Sequence, residues 1–79
     1  MTTVTLYTKP DCCLCDEALE VIERVRSQVG FALERVDVTG DRGLYDRYRE
    51  RLPVVAVDGA EVFDYHVDEQ RLREMATVA

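Results

Sequence analysis

Cys12, Cys13 and Cys15 are the only cysteines of the chain, and they fall within one short stretch. Cys12 and Cys15 have the Cys-x-x-Cys spacing, which on a helix puts both sulfurs on the same side, one turn apart. Thiol–disulfide exchange needs little more: one thiolate to attack a disulfide and a second thiol to displace the product. An odd cysteine count gathered in one place cannot staple distant segments, so a structural disulfide framework is excluded. Metal binding is the competing chemistry. Structural zinc takes four ligands, commonly as two pairs from separate segments, whereas this chain offers one pair, an adjacent thiol and the single His66. Dithiol redox chemistry is the expectation. A non-enzymatic module, whose cysteines bind a metal or serve an interaction surface, is the alternative.

The elements around the motif must place it at a helix start. Thr3 to Thr8 alternates β-branched and apolar residues and reads as a buried, central strand. Pro10 and Asp11 end it, and Asp11 is expected to cap the next helix. In that helix Leu14, Ala18, Leu19, Ile22, Val25 and Val29 recur at steps of three and four, as one apolar face requires. Gly30 stops it, in a position suited to a left-handed residue. A cysteine at this helix N-terminus faces unpaired backbone N–H groups and the positive end of the helix dipole, and both favour a thiolate. Lys9 adds to that effect, while Asp11, Asp16 and Glu17 oppose it. Cys12 is thus the expected attacking sulfur, Cys15 the more buried resolving one, and Cys13 a bystander.

Phe31 to Val38 reads as a second strand, parallel to the first through a right-handed βαβ crossover. A polar turn over residues 39–43 and a short helix from Asp41 to Arg51 follow. Val54 to Val57 is a third strand, and Asp58-Gly59 is a two-residue hairpin signal leading into a fourth, Ala60 to Tyr65. Asp68 is placed to cap a last helix running to about Ala76. The order β-α-β-α-β-β-α predicts an α/β domain: a four-stranded mixed sheet flanked by three helices. Arg42, Arg47, Arg49 and Arg51 read as a solvated face self-paired with Asp46 and Glu50. Tyr48 reads as a packing residue, and Tyr7 as packing beneath the motif.

The 79 residues make one small domain, 1–79. A net charge of −6 argues against a nucleic-acid partner, which would need clustered Lys and Arg. No apolar run approaches the roughly 20 residues that span a bilayer, and the first residues do not read as a signal peptide. A cytoplasmic monomer without membrane attachment is expected.

The segment Leu6-Tyr7-Thr8-Lys9-Pro10-Asp11-Cys12-Cys13-Leu14-Cys15, with Leu52-Pro53-Val54, resembles the glutaredoxins of the thioredoxin-fold superfamily. It is most similar to a short bacterial group whose motif is Cys-x-Leu-Cys followed by acidic residues. The resemblance implies a thioredoxin-like fold and catalytic roles for Cys12 and Cys15. It further implies a cis peptide before Pro53, with Lys9, Leu52, Pro53 and Asp68 at the substrate or glutathione site. Implied partners are disulfide-bearing proteins or small disulfides. Glutathione or a thioredoxin-reductase-type reductant would recycle the pair, with no bound cofactor. Two departures stand out. Cys13-Leu14 replaces the usual Pro-Tyr, and Phe63-Asp64 stands where the family has Gly-Gly against glutathione. No tryptophan precedes the cysteines, which separates the chain from thioredoxins proper.

Overall fold

The computed structural model describes residues 2–77. Four strands form one mixed sheet in the order β2-β1-β3-β4: β1 (Thr3–Thr8), β2 (Ala32–Asp37), β3 (Val54–Val57) and β4 (Ala60–Asp64). β1 is internal, parallel to β2 and antiparallel to β3, and β3 pairs antiparallel with β4. The helices are α1 (Cys13–Gln28), α2 (Arg42–Tyr48) and α3 (Glu69–Thr77).

Side chains alternate across a strand, so the sheet builds two cores. On one face Val4 and Leu6 of β1 and Val55 of β3 pack with Ala18, Ile22 and Val25 of α1 and Leu72 and Ala76 of α3. On the other, Val38, Tyr48, Leu52 and Val54 gather around Cys15, with Tyr7 and Cys12 at the margin. Arg24 of α1 reaches Glu69 of α3 at 2.9 Å and ties the two helices of the first face together, while Arg73, one turn further along α3, holds the same carboxylate at 3.2 Å.

A β-bulge between Val55 and Ala56 alters this alternation in β4. Val55 pairs with Phe63 but Ala56 pairs with Glu61, so Val62 is the extra residue. In an unbroken strand Glu61 and Phe63 would share a face. With the bulge, Val62 and Phe63 both pack on the α1/α3 core while Glu61 reaches Tyr48 of α2.

Several local expectations are corrected. Asp11 does not cap α1: its φ of 59° puts it in the left-handed region, and Cys12 is the cap residue. Gly30 is not left-handed, because α1 ends at Gln28 and Val29 leaves it in extended conformation. Leu14 is 38% exposed rather than part of the buried face of α1, which starts at Cys15. β2 stops at Asp37, whose carboxylate accepts the Thr39 N–H and turns the chain into one 3-10 turn, Val38–Gly40. α2 is shorter than expected at both ends, with Asp41 as its cap, and β4 ends at Asp64.

The Asp58-Gly59 turn has positive φ at both residues, 52° and 88°, the backbone of a type I′ hairpin. A Cβ at Gly59 or at Gly30 would meet no atom within 4 Å, so only backbone conformation separates the two positions. Gly59→Ala should destabilise by about 1–2 kcal/mol. Gly30→Ala should stabilise by about 0.4–1 kcal/mol. Denaturant midpoints of the two variants check this, and equal midpoints would contradict the turn geometry.

Candidate active site

The chain reaches α1 through a turn, Pro10-Asp11, in which Asp11 takes a backbone conformation that Asp tolerates better than most residues. Cys12 follows as the cap in extended conformation. Its Sγ accepts the Cys15 N–H at 3.3 Å, and its carbonyl accepts the Asp16 N–H at 3.1 Å. The sulfur therefore occupies the place that a Ser or Asp oxygen usually fills at a helix start. Cys12 is half-buried, Cys13 exposed and Cys15 buried, and all three are free thiols.

Cys15 is 3% exposed, within the α2-side core. Burial, followed by its hydrogen bond with Cys12, pushes its thiol up to about 11; the Lys9 backbone and Thr8 hydroxyl partly oppose the rise. At neutral pH Cys15 keeps its proton. The two sulfurs of the motif thus differ in access, one at the surface and one sealed beneath it.

The peptide before Pro53 is cis, as the resemblance implied. Leu52 and Pro53 are buried, and Leu52 shares the core of Cys15 and Tyr48. Among the described residues, no hydrogen bond engages the backbone N–H or C=O of Leu52. Tyr65, just beyond β4, donates its N–H to the Pro53 carbonyl at 3.0 Å and its hydroxyl to the Glu50 carbonyl.

Beneath Cys12 the rings of Tyr7 and Tyr48 stack at 4.5 Å between centroids. Arg47 and Arg51 lie 5.4 and 5.3 Å from the Tyr48 ring centre. Glu61 accepts the Tyr48 hydroxyl at 2.9 Å and pairs with Arg51 at 3.0 Å. Burial and the Glu61 carboxylate raise the Tyr48 hydroxyl, while the Tyr48 and Arg51 hydrogen bonds lower Glu61. The tyrosines were legible as packing residues. Glu61 was not, since only the bulge brings it to this face; its signal was Val62-Phe63, two apolar residues in succession within an alternating strand.

The structure brings Cys12, Cys15 and Leu52 into one cluster, with Pro53 following Leu52 in the chain. Lys9 borders a separate depression with Thr8, Pro10, Asp11, Asp16, Arg35 and Asp37. Asp68 caps α3, its carboxylate accepting the Arg71 N–H at 3.1 Å. Among the described residues, no three His, Cys, Asp or Glu side chains converge as metal ligands, and no helix is long and apolar enough to cross a membrane.

A four-stranded mixed sheet with helices on both faces, a Cys-x-x-Cys at the start of α1 and a cis-proline turn beside it define a thioredoxin-fold protein. The glutaredoxin-like domain (DUF836) matches residues 3–76, and the chain belongs to that family. It is 39% identical over 75 residues to the uncharacterized protein Rv0508 of Mycobacterium tuberculosis, an overlap of 89% of this chain and 77% of that one. Protein XcR50 of X. campestris, solved by X-ray methods, superposes with a TM-score of 0.78 at 35% identity, covering 96% of this chain and 97% of the other. A mutant thioredoxin from Halobacterium salinarum shares the fold at a TM-score of 0.69 and 22% identity, over 95% of this chain and 71% of its own. Fold and family together point to a redox function.

The sealed position of Cys15 has a direct readout. Iodoacetamide at pH 7.5 should label Cys12 and Cys13 in the reduced protein and leave Cys15 more than tenfold slower, with the gap closing as pH approaches 11. Peptide mapping by mass spectrometry measures the three rates. Labelling of Cys15 as fast as Cys13 at pH 7.5 would contradict its burial.

Proposed function

We propose that the chain is a thiol–disulfide oxidoreductase acting through Cys12 and Cys15, in the cytoplasm and as a monomer. The observation that carries this reading is the Cys12 sulfur at the tip of α1, accepting a backbone N–H, with the Cys15 thiol buried one turn behind it. Backbone amides and the positive helix end favour a negatively charged sulfur at that place.

In the proposed cycle the Cys12 thiolate attacks one sulfur of a substrate disulfide. The substrate S–S bond breaks, and the departing thiolate takes a proton from water. Cys15 then gives up its proton, attacks the Cys12 sulfur of the mixed disulfide and releases the second substrate thiol. Two electrons have passed to the substrate, and Cys12 and Cys15 are left joined. A dithiol equivalent, either two glutathione molecules or a thioredoxin-reductase-type protein, returns the two electrons and two protons. No bound cofactor takes part. The unpaired backbone of Leu52 beside Pro53 supports docking of an extended substrate strand there. Lys9, in its separate depression, and Asp68, whose carboxylate caps α3, are assigned no step in this cycle.

A reductase assay on 2-hydroxyethyl disulfide tests this, run once with glutathione and its reductase and once with thioredoxin reductase. Cys12→Ser should reduce turnover to background with either system. Cys15→Ser should lose the dithiol cycle, and Cys13→Ser should stay within about twofold of the parent. Unchanged turnover in Cys12→Ser would remove Cys12 from the cycle, and a parent protein at background with both systems would leave the non-enzymatic reading in its place.

A further inference from the structure

Tyr65 is the centre of a three-residue turn: the His66 N–H donates to the Asp64 carbonyl at 2.7 Å, and the φ of Tyr65 is 66°. Turns of this hand are rare, and a bulky residue seldom takes the left-handed region. Core packing does not account for a tyrosine here. Its ring is 47% exposed and belongs to neither core of the sheet. A residue held in a sparsely populated conformation, with no packing role, points to a contact made elsewhere.

That contact is with the cis-proline loop. The Tyr65 N–H donates to the Pro53 carbonyl at 3.0 Å and, at a longer 3.4 Å, to the Arg51 carbonyl. Its hydroxyl reaches further back and donates to the Glu50 carbonyl. One residue thus engages three of the four carbonyls of residues 50–53, and the one it leaves out is that of Leu52. The Leu52 side chain is buried in the cluster that holds Cys15 and has Cys12 at its margin. Packing therefore fixes the side chain of Leu52, and Tyr65 fixes the peptides on either side of it. Among the described residues, the N–H and C=O of Leu52 itself are left unpaired.

We infer that Tyr65 is a positioning residue for polypeptide disulfides: through its hydroxyl and its N–H it holds the 50–53 loop so that the Leu52 backbone is presented to an extended substrate strand beside Cys12. This rests on the oxidoreductase reading and names the residue that sets its substrate docking. A strand that pairs with Leu52 gains most when both groups are already in place, because ordering a loop at the moment of binding costs affinity. A small disulfide without a peptide backbone makes no such pair and gains nothing from the clamp. The electrons follow the cycle above: the peptide S–S bond breaks, the Cys12–Cys15 bond forms, and the two peptide sulfurs leave as thiols.

Three substrates test this, with one reductant throughout. They are 2-hydroxyethyl disulfide, a short cysteine peptide as its symmetric disulfide, and the same peptide N-methylated on both sides of its cysteine. Tyr65→Phe, which removes only the hydroxyl, should lower the ratio of peptide to small-disulfide kcat/KM about fivefold, the order of one hydrogen bond, and chiefly through KM. Tyr65→Asn keeps the N–H and tolerates the left-handed backbone, and it should lower the ratio at least as far. N-methylation should cost the parent about tenfold and Tyr65→Phe less than threefold, because the two changes remove parts of one contact. A ratio unchanged in Tyr65→Phe would overturn the inference and leave the oxidoreductase intact, and so would N-methylation that costs both proteins equally. Gly59→Ala, weakened at the other end of β4, is the control for lost stability. A fall in its ratio matching that of Tyr65→Phe would also overturn the inference, by making the effect one of stability alone. A parent inactive on every disulfide, the small one included, would overturn the underlying activity and this inference with it.

Discussion

A sulfur atom completes the first turn of α1. The leading amides of a helix have no partner inside it, and an oxygen side chain normally supplies one. Here Cys12 does so, and the Cys15 N–H points at its Sγ. A cysteine sulfur is a weaker acceptor than the oxygen of Ser or Asp, and the Cys15 N–H stands 3.3 Å from it. Pro10 brings the chain in, Asp11 turns it through a left-handed conformation, and Cys15 anchors the other end of the turn in the core.

The two-sided sheet exists to hold that turn still. β1 runs between β2 and β3 and ends at the motif, so displacing it would disturb pairing on both sides. α1 and α3, joined through Glu69, press on one face. α2 covers the other with Tyr48, whose ring stacks on Tyr7 and has Arg47 and Arg51 close to its centre. The bulge in β4 lets one short strand serve both cores, giving Phe63 to the first and Glu61 to the second.

The element order, the hairpin turn and the placement of the cysteines at the start of α1, with Cys15 buried and Cys12 less so, were legible because each rests on local signals: period-two strands, period-three-and-four helices and turn residues of special backbone preference. What was not legible depends on contacts between distant positions. Asp11 has the better chemistry for a cap, but the turn needs it in the left-handed region, and the cap passes to Cys12. Leu14 fits the helical spacing of apolar residues, but it lies on the side where no strand or helix covers it. The Tyr48–Glu61 bond depends on a single extra residue in β4, and register between strands is set by their partners rather than by either sequence alone. The glutaredoxin resemblance supplied the cis-proline turn, for which sequence by itself gives only about a 5–6% prior.

Leu14 also shows how the motif divides its labour. The amide that Cys12 Sγ accepts belongs to the backbone of Cys15, and any side chain at residue 14 compatible with a helix start leaves it where it is. The exposed apolar surface nearby, by contrast, belongs to the side chains of Leu14 and Tyr65, which line one groove. The backbone that holds the sulfur and the apolar surface beside it are thus built from separate atoms of the same turn, and a change of side chain at residue 14 alters the second while leaving the first in place.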